Sequence, residues 1–163
     1  MNKLSAPKEA AVIVLHELVS DSLILTQRSL GLRNHPGELC FPGGSWQEGD
    51  KDFYATALRE LQEELGIAPS RVNLKQALEP ERTLTGYMIY PWFASITNIS
   101  PFQIDSEEVS ELVRLPMTEV IKASNYKEIS VSRFGLSIQT YQFRAKEYYV
   151  WGATARIMMQ LIG

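Results

Sequence analysis

The sequence predicts an α+β domain in which a mixed β-sheet is sandwiched between α-helices. Two observations lead there. Short apolar runs of strand length outnumber helical segments, and the longer helical segments lie one near the middle of the chain and one at its end. The length, 163 residues with 45% hydrophobic, suits one core of ordinary size, so residues 1–163 are expected to form a single domain.

In chain order, Ala10–Leu15 reads as a buried strand and Leu23–Thr26 as a second, reversed at the Asp21-Ser22 turn signal. From Ser29 to Gly49 the glycines and prolines mark a long loop, with only Leu39–Phe41 strand-like. A loop of that length inside a compact domain is usually functional. Asp52 through Leu65 reads as a helix, Asp52 at the N-cap and Gly66 just past its end. Val72–Leu78 and Tyr87–Ile96 read as strands, and Pro91 suggests that the latter is an edge or carries a bulge. Val109–Leu115 follows as a strand and Met117–Ala123 as a short helix. Ile129–Val131, Ile138–Phe143 and Tyr148–Val150 are short strands, and Ala153–Leu161 is a closing amphipathic helix.

Composition excludes several classes of function. Sixteen basic against 19 acidic residues give a net charge of −3, which offers no global field for nucleic acid. No run approaches the ~18 apolar residues of a membrane span, and the first apolar run is too short for a signal peptide. Cys40 stands alone, so no intrachain disulfide forms, in keeping with a reducing cytoplasm.

The chemistry concentrates in Arg59-Glu60-Leu61-Gln62-Glu63-Glu64-Leu65-Gly66. At ~100° per residue, Glu60, Glu63 and Glu64 share an arc beside an apolar stripe of Tyr54, Ala57, Leu58, Leu61 and Leu65. A glutamate-rich face is ordinarily just solvated. Here the carboxylates adjoin the apolar stripe and follow a glycine-rich loop whose backbone N–H groups can approach phosphate. Clustered carboxylates of this sort hold Mg²⁺ or Mn²⁺ together with substrate phosphates.

From Gly44 to Ile67 the chain resembles the Nudix box, Gly-x5-Glu-x7-Arg-Glu-apolar-x-Glu-Glu-x-Gly-apolar. The helical half matches at every specified position. The first half departs: the expected glutamate falls on Asp50, and one extra residue precedes Arg59. Leu25-Thr26-Gln27-Arg28-Ser29, Arg33, Gly37 and Phe41-Pro42-Gly43-Gly44 are similar to the signature of the coenzyme A pyrophosphatase branch of Nudix hydrolases. Thr85-Gly86-Tyr87, Glu108-Val109 and Trp151-Gly152-Ala153-Thr154-Ala155 resemble later segments of that branch.

The resemblance implies hydrolysis of a small nucleotide, coenzyme A or a derivative, to 4′-phosphopantetheine and adenosine 3′,5′-bisphosphate, with Mg²⁺ or Mn²⁺. It leaves the oligomeric state, a homodimer included, open. Glu60 and Glu64 are the first candidates for metal ligands. Glu63 is a candidate for a second metal site or for the proton of the attacking water. Arg59 suits pairing with a carboxylate and orienting the helix better than touching substrate. Arg28 and Arg33 offer planar donors to phosphate, and Gly43 and Gly44 shape the backbone beside the metal.

Glu107 and Glu108 are a weaker pair, one of which could approach as an alternative base. His16, His35 and Cys40 read as structural, and Trp46, Trp92 and Trp151 as core or rim. Two other readings stay open: another nucleoside diphosphate derivative such as ADP-ribose or a dinucleotide as substrate, and a non-catalytic domain that senses a nucleotide.

Overall fold

The computed structural model describes residues 8–32 and 37–163. Its elements are β1 (Lys8–Glu17), β2 (Ser22–Arg28), β3 (Leu39–Cys40), β4 (Gly43–Ser45), α1 (Phe53–Leu65), β5 (Asn73–Ala77), β6 (Glu81–Arg82) and β7 (Tyr87–Ile96). After these come β8 (Val109–Pro116), α2 (Met117–Val120), β9 (Tyr126–Arg133), β10 (Leu136–Ala145), β11 (Tyr148–Trp151) and α3 (Ala153–Met159).

The main sheet runs β3-β2-β1-β7-β5, with β8 on β2, β4 on β1 and β6 on β7. It is mixed because β1 and β7 run parallel, from Lys8 opposite Tyr87 to Glu17 opposite Ile96. That partner carries β1 beyond the Ala10–Leu15 expected from its apolar run. Alternate side chains of β1 then serve two cores. Ala11, Ile13 and Leu15 join Ala57, Leu61 and Leu65 of α1 on one face. Val14 joins Val120 of α2, Ile157 and Met158 of α3, and Phe143 and Val150 of a second sheet, β11-β10-β9, on the other. The sandwich of sheet between helices is the predicted one, with the three-stranded sheet added to one layer.

Pro91 meets one of its two expectations, since the β5–β7 register shifts between Leu74 and Gln76, but β7 is not an edge. The residue lies on β7, between β1 and β5. Its carbonyl accepts from Leu78 N at 2.9 Å. A strand residue turns its N and C=O to the same side, so the missing N–H faces the break between β5 and β6, where no ladder bond is lost. α2 and α3 also stop short of the expected Ala123 and Leu161, at Val120 and Met159. The two-residue β6 and the Gly43–Ser45 strand were not anticipated.

The feature that positions the site is a fork. β1 and β2 pair only from Leu15–Glu17 to Ser22–Ile24. Beyond that they separate, and the intervening chain fills the gap: β3 bonds to Thr26 and Gln27 of β2, and β4 bonds to Ala10–Val12 of β1. Ile13 N donates to Pro42 O at 2.9 Å between these two short strands. Phe41 points into the core there.

Candidate active site

α1 begins and ends as its sequence dictates. Asp52 accepts from Ala55 N at 2.8 Å, and Gly66 takes a left-handed φ of 68° that stops the helix. Stacking of Phe53 on Tyr90, with ring centroids 4.1 Å apart, and burial of Leu61 and Leu65 seat the helix on the sheet. Each fully buried leucine contributes about 1.5–3 kcal/mol. That helps offset the burial of two carboxylates on the same face: Glu60 is 8% exposed and Glu64 6%.

The glycines of the fork make this burial tolerable. Gly43 N donates to Glu64 Oε2 at 3.1 Å. A Cβ on Gly44 would lie 2.5 Å from the Glu60 carboxylate, and one on Gly43 would lie 2.3 Å from Ala11 O. Both glycines are required by close approach.

Glu108 completes the group. Gln103 N and Asp105 N donate to Leu65 O and Glu64 O, carbonyls the helix end leaves open, and so lead the following chain back along α1. Ser29 N then donates to Glu108 O at 3.0 Å, beside the pairing of Arg28 with Val109. The result is that Glu60, Glu64 and Glu108 each offer an oxygen within 4.8 Å of the others.

Glu63 does not join that cluster. It is exposed, and both its oxygens accept from Arg59 Nη1, at 3.2 and 3.3 Å. The arc of three helical carboxylates therefore divides: two turn inward to meet Glu108, and one turns to the arginine one turn earlier.

Arg59 is the organiser of the helix. Its Nε and Nη2 donate to Asp50 Oδ1 and Oδ2 at 2.9 and 3.1 Å, Nη1 also reaches Glu60 at 3.1 Å, and Nη2 reaches Ser45 O. These bonds hold the Asp50 carboxyl down to about 2. The residue standing where the family pattern has glutamate thus binds the helix arginine, a role its sequence position left open.

The electrostatics favour a cation. Burial first, then Glu63 and Glu108, push Glu60 up to about 6 against the pull of Arg59. Burial first, then Glu60 and Glu108, push Glu64 up to about 8 against Gly43 N–H and Arg28. Like charges held in low dielectric resist ionisation unless a positive charge joins them. The donor set is all hard oxygen, so the residues fit a divalent ion.

The cluster opens on a cleft of about 590 Å³ shared by both sheets. Arg28, Gly43, Gly44, Thr85, Arg133 and Trp151 are among its lining residues. Burial pushes the Cys40 thiol up to about 11, which leaves it no nucleophile at neutral pH. Trp92 packs on Tyr54, and Trp151 donates Nε1 to Glu38 at 3.2 Å. Arg33 and His35 lie outside the described residues. Among the described residues, no helix is long and apolar enough to cross a membrane.

A buried acidic cluster, glycine backbone and an arginine thus lie together in one cleft. The chain belongs to the Nudix family: residues 7–133 match the NUDIX domain. It is similar to NudL of Shigella boydii serotype 4, an uncharacterized Nudix hydrolase, at 34% identity over 155 residues, 94% of this chain and 81% of the relative. NudL of Escherichia coli O157:H7 matches to the same extent, 34% over 155 residues. Among solved structures, a C. elegans Ap4A hydrolase binary complex aligns with a TM-score of 0.59 at 22% identity, over 69% of this chain and 83% of the other. The Nudix domain of Shewanella oneidensis NrtR, complexed with ADP ribose, aligns with a TM-score of 0.57 at 23% identity, over 72% and 78%. Those two likenesses are of fold. The family match and the curated relatives make the protein a Nudix hydrolase of a pyrophosphate substrate.

Proposed function

We propose that the substrate is coenzyme A or a derivative, and that hydrolysis of its diphosphate yields 4′-phosphopantetheine and adenosine 3′,5′-bisphosphate. One observation carries this reading. The residues that resemble the coenzyme A pyrophosphatase signature, Arg28, Gly43 and Gly44, line the same cleft as Glu60, Glu64 and Glu108.

Glu60 and Glu64 would hold Mg²⁺ or Mn²⁺, with Glu108 as the third oxygen donor within reach. The ion when bound screens the diphosphate charge and acidifies a water ligand. Arg59 fixes the rotamer of Glu60 from behind, so the carboxylates are preorganised. Arg28 offers a guanidinium fork to a phosphate oxygen. Water oxygen attacks one phosphorus, the bridging P–O bond breaks, and the water's proton passes to a carboxylate. Glu63 and Glu108 are the two candidates for that acceptor.

The test is incubation with coenzyme A and Mg²⁺ in oxygen-18 water, with products identified by mass spectrometry. Label in 4′-phosphopantetheine or in adenosine 3′,5′-bisphosphate supports the reading and identifies the phosphorus attacked. Turnover of ADP-ribose or a dinucleotide with coenzyme A left intact would overturn it.

A further inference from the structure

The second sheet sends one cation into the cleft. Arg133 ends β9, and the next two residues, Phe134 and Gly135, have φ values of 51° and 73°. Two left-handed residues in succession make a tight reversal, and Leu136 pairs back on Arg133. The turn thus fixes Arg133 where its side chain lines the cleft.

One donor of its guanidinium is left without an acceptor among the described residues. Cζ lies 5.1 Å from the Phe134 ring centroid, while Nε is shielded from solvent and has no hydrogen-bond partner among the described residues. A buried donor without an acceptor is costly. Arg156, the neighbouring arginine of the cleft, is fully engaged by Glu81, Thr140 and the Arg82 carbonyl. Arg28 acts on Glu64 and Cys40.

We propose that Arg133 determines specificity by binding a phosphate group of the substrate that is separate from the diphosphate being cleaved. The diphosphate must lie at Glu60, Glu64 and Glu108, on elements of the main sheet and its helix. Arg133 enters from the other sheet, and it suits a second anionic group on the same ligand. This rests on the reading given under Proposed function, in which that group is the 3′-phosphate of the adenosine moiety.

The test is calorimetric binding of adenosine 3′,5′-bisphosphate and of AMP, with Mg²⁺ present, to the wild type, Arg133→Gln and Arg133→Lys. Wild type should prefer the bisphosphate by about tenfold or more, the size of one charge-assisted contact. Arg133→Gln should erase that preference while AMP affinity stays within about twofold, and Arg133→Lys should keep part of it. A preference retained in Arg133→Gln, or an equal loss for both nucleotides, would overturn the assignment. Wild-type turnover of coenzyme A is measured alongside. Its absence would overturn the substrate reading, whereas the ratio of the two nucleotide affinities judges Arg133 by itself.

Discussion

Asp50 and Arg59 are joined by two parallel hydrogen bonds, Nε to Oδ1 at 2.9 Å and Nη2 to Oδ2 at 3.1 Å. The pair ties the loop ahead of α1 to the helix that carries the buried glutamates, and Thr56 Oγ1 adds a third bond to Asp50 at 2.8 Å. Asp50→Asn keeps the shape and removes the charge. It should lower stability by about 1.5–3 kcal/mol, the usual worth of a bond to a charged group, as read by urea unfolding. A variant as stable as the wild type would mean that the pair is ornamental.

Gly44→Ala tests the closeness of loop and carboxylate. The new methyl would lie 2.5 Å from Glu60, so the carboxylate must leave its position. Mn²⁺ affinity should fall by about tenfold or more, by electron paramagnetic resonance titration, with the melting temperature changed little. Gly43→Ala should instead cost stability, about 1–3 kcal/mol, because its methyl meets backbone of β1 at 2.3 Å and overpacks it.

Glu63 and Glu108 can be separated by one titration. Glu108 shares the cluster with Glu60 and Glu64, whereas Glu63 faces Arg59. Glu108→Gln should weaken Mn²⁺ binding by about tenfold, while Glu63→Gln should leave the first binding event within about twofold. The reverse order of effects would move the metal to the exposed side of the helix.

Glu17 gives a pH dependence away from the site. Burial alone would raise its pKa, but Arg114, Ser20 and the Ile99 N–H outweigh burial and hold it below the ordinary carboxylate range. A lowered folded-state pKa adds stability that is complete above the unfolded value and is lost as pH falls through the folded one. Glu17→Gln should therefore melt earlier than the wild type at neutral pH, and the gap should shrink as the pH drops below about 4. A gap constant down to strong acid would contradict the assignment.

Much of this site was legible in the sequence because it is local. The caps Asp52 and Gly66, the helical spacing of Leu61 and Leu65, and Glu60 with Glu64 one turn apart all lie within one helix. Glu108 was only a weak candidate, since two adjacent glutamates ahead of a strand look solvated. What brings Glu108 to the cluster is a set of backbone bonds to the carbonyls at the end of α1, which side-chain patterning does not encode. Arc position alone groups Glu63 with its neighbours, because it ignores the reach of Arg59. Pro91 does not by itself distinguish an edge from a bulge, because its effect depends on which side of β7 needs a donor. Arg133 carried no signal at all, because only the packing of a second sheet makes a hairpin residue part of the cleft.

Where a divalent ion sits is decisive. Crystals soaked in Mn²⁺ at neutral pH, with diffraction recorded at the manganese absorption edge, give that position directly. The prediction is an anomalous peak bounded by carboxylate oxygens of Glu60, Glu64 and Glu108. A well-ordered crystal with no peak there, or with its peak elsewhere in the cleft, would contradict it.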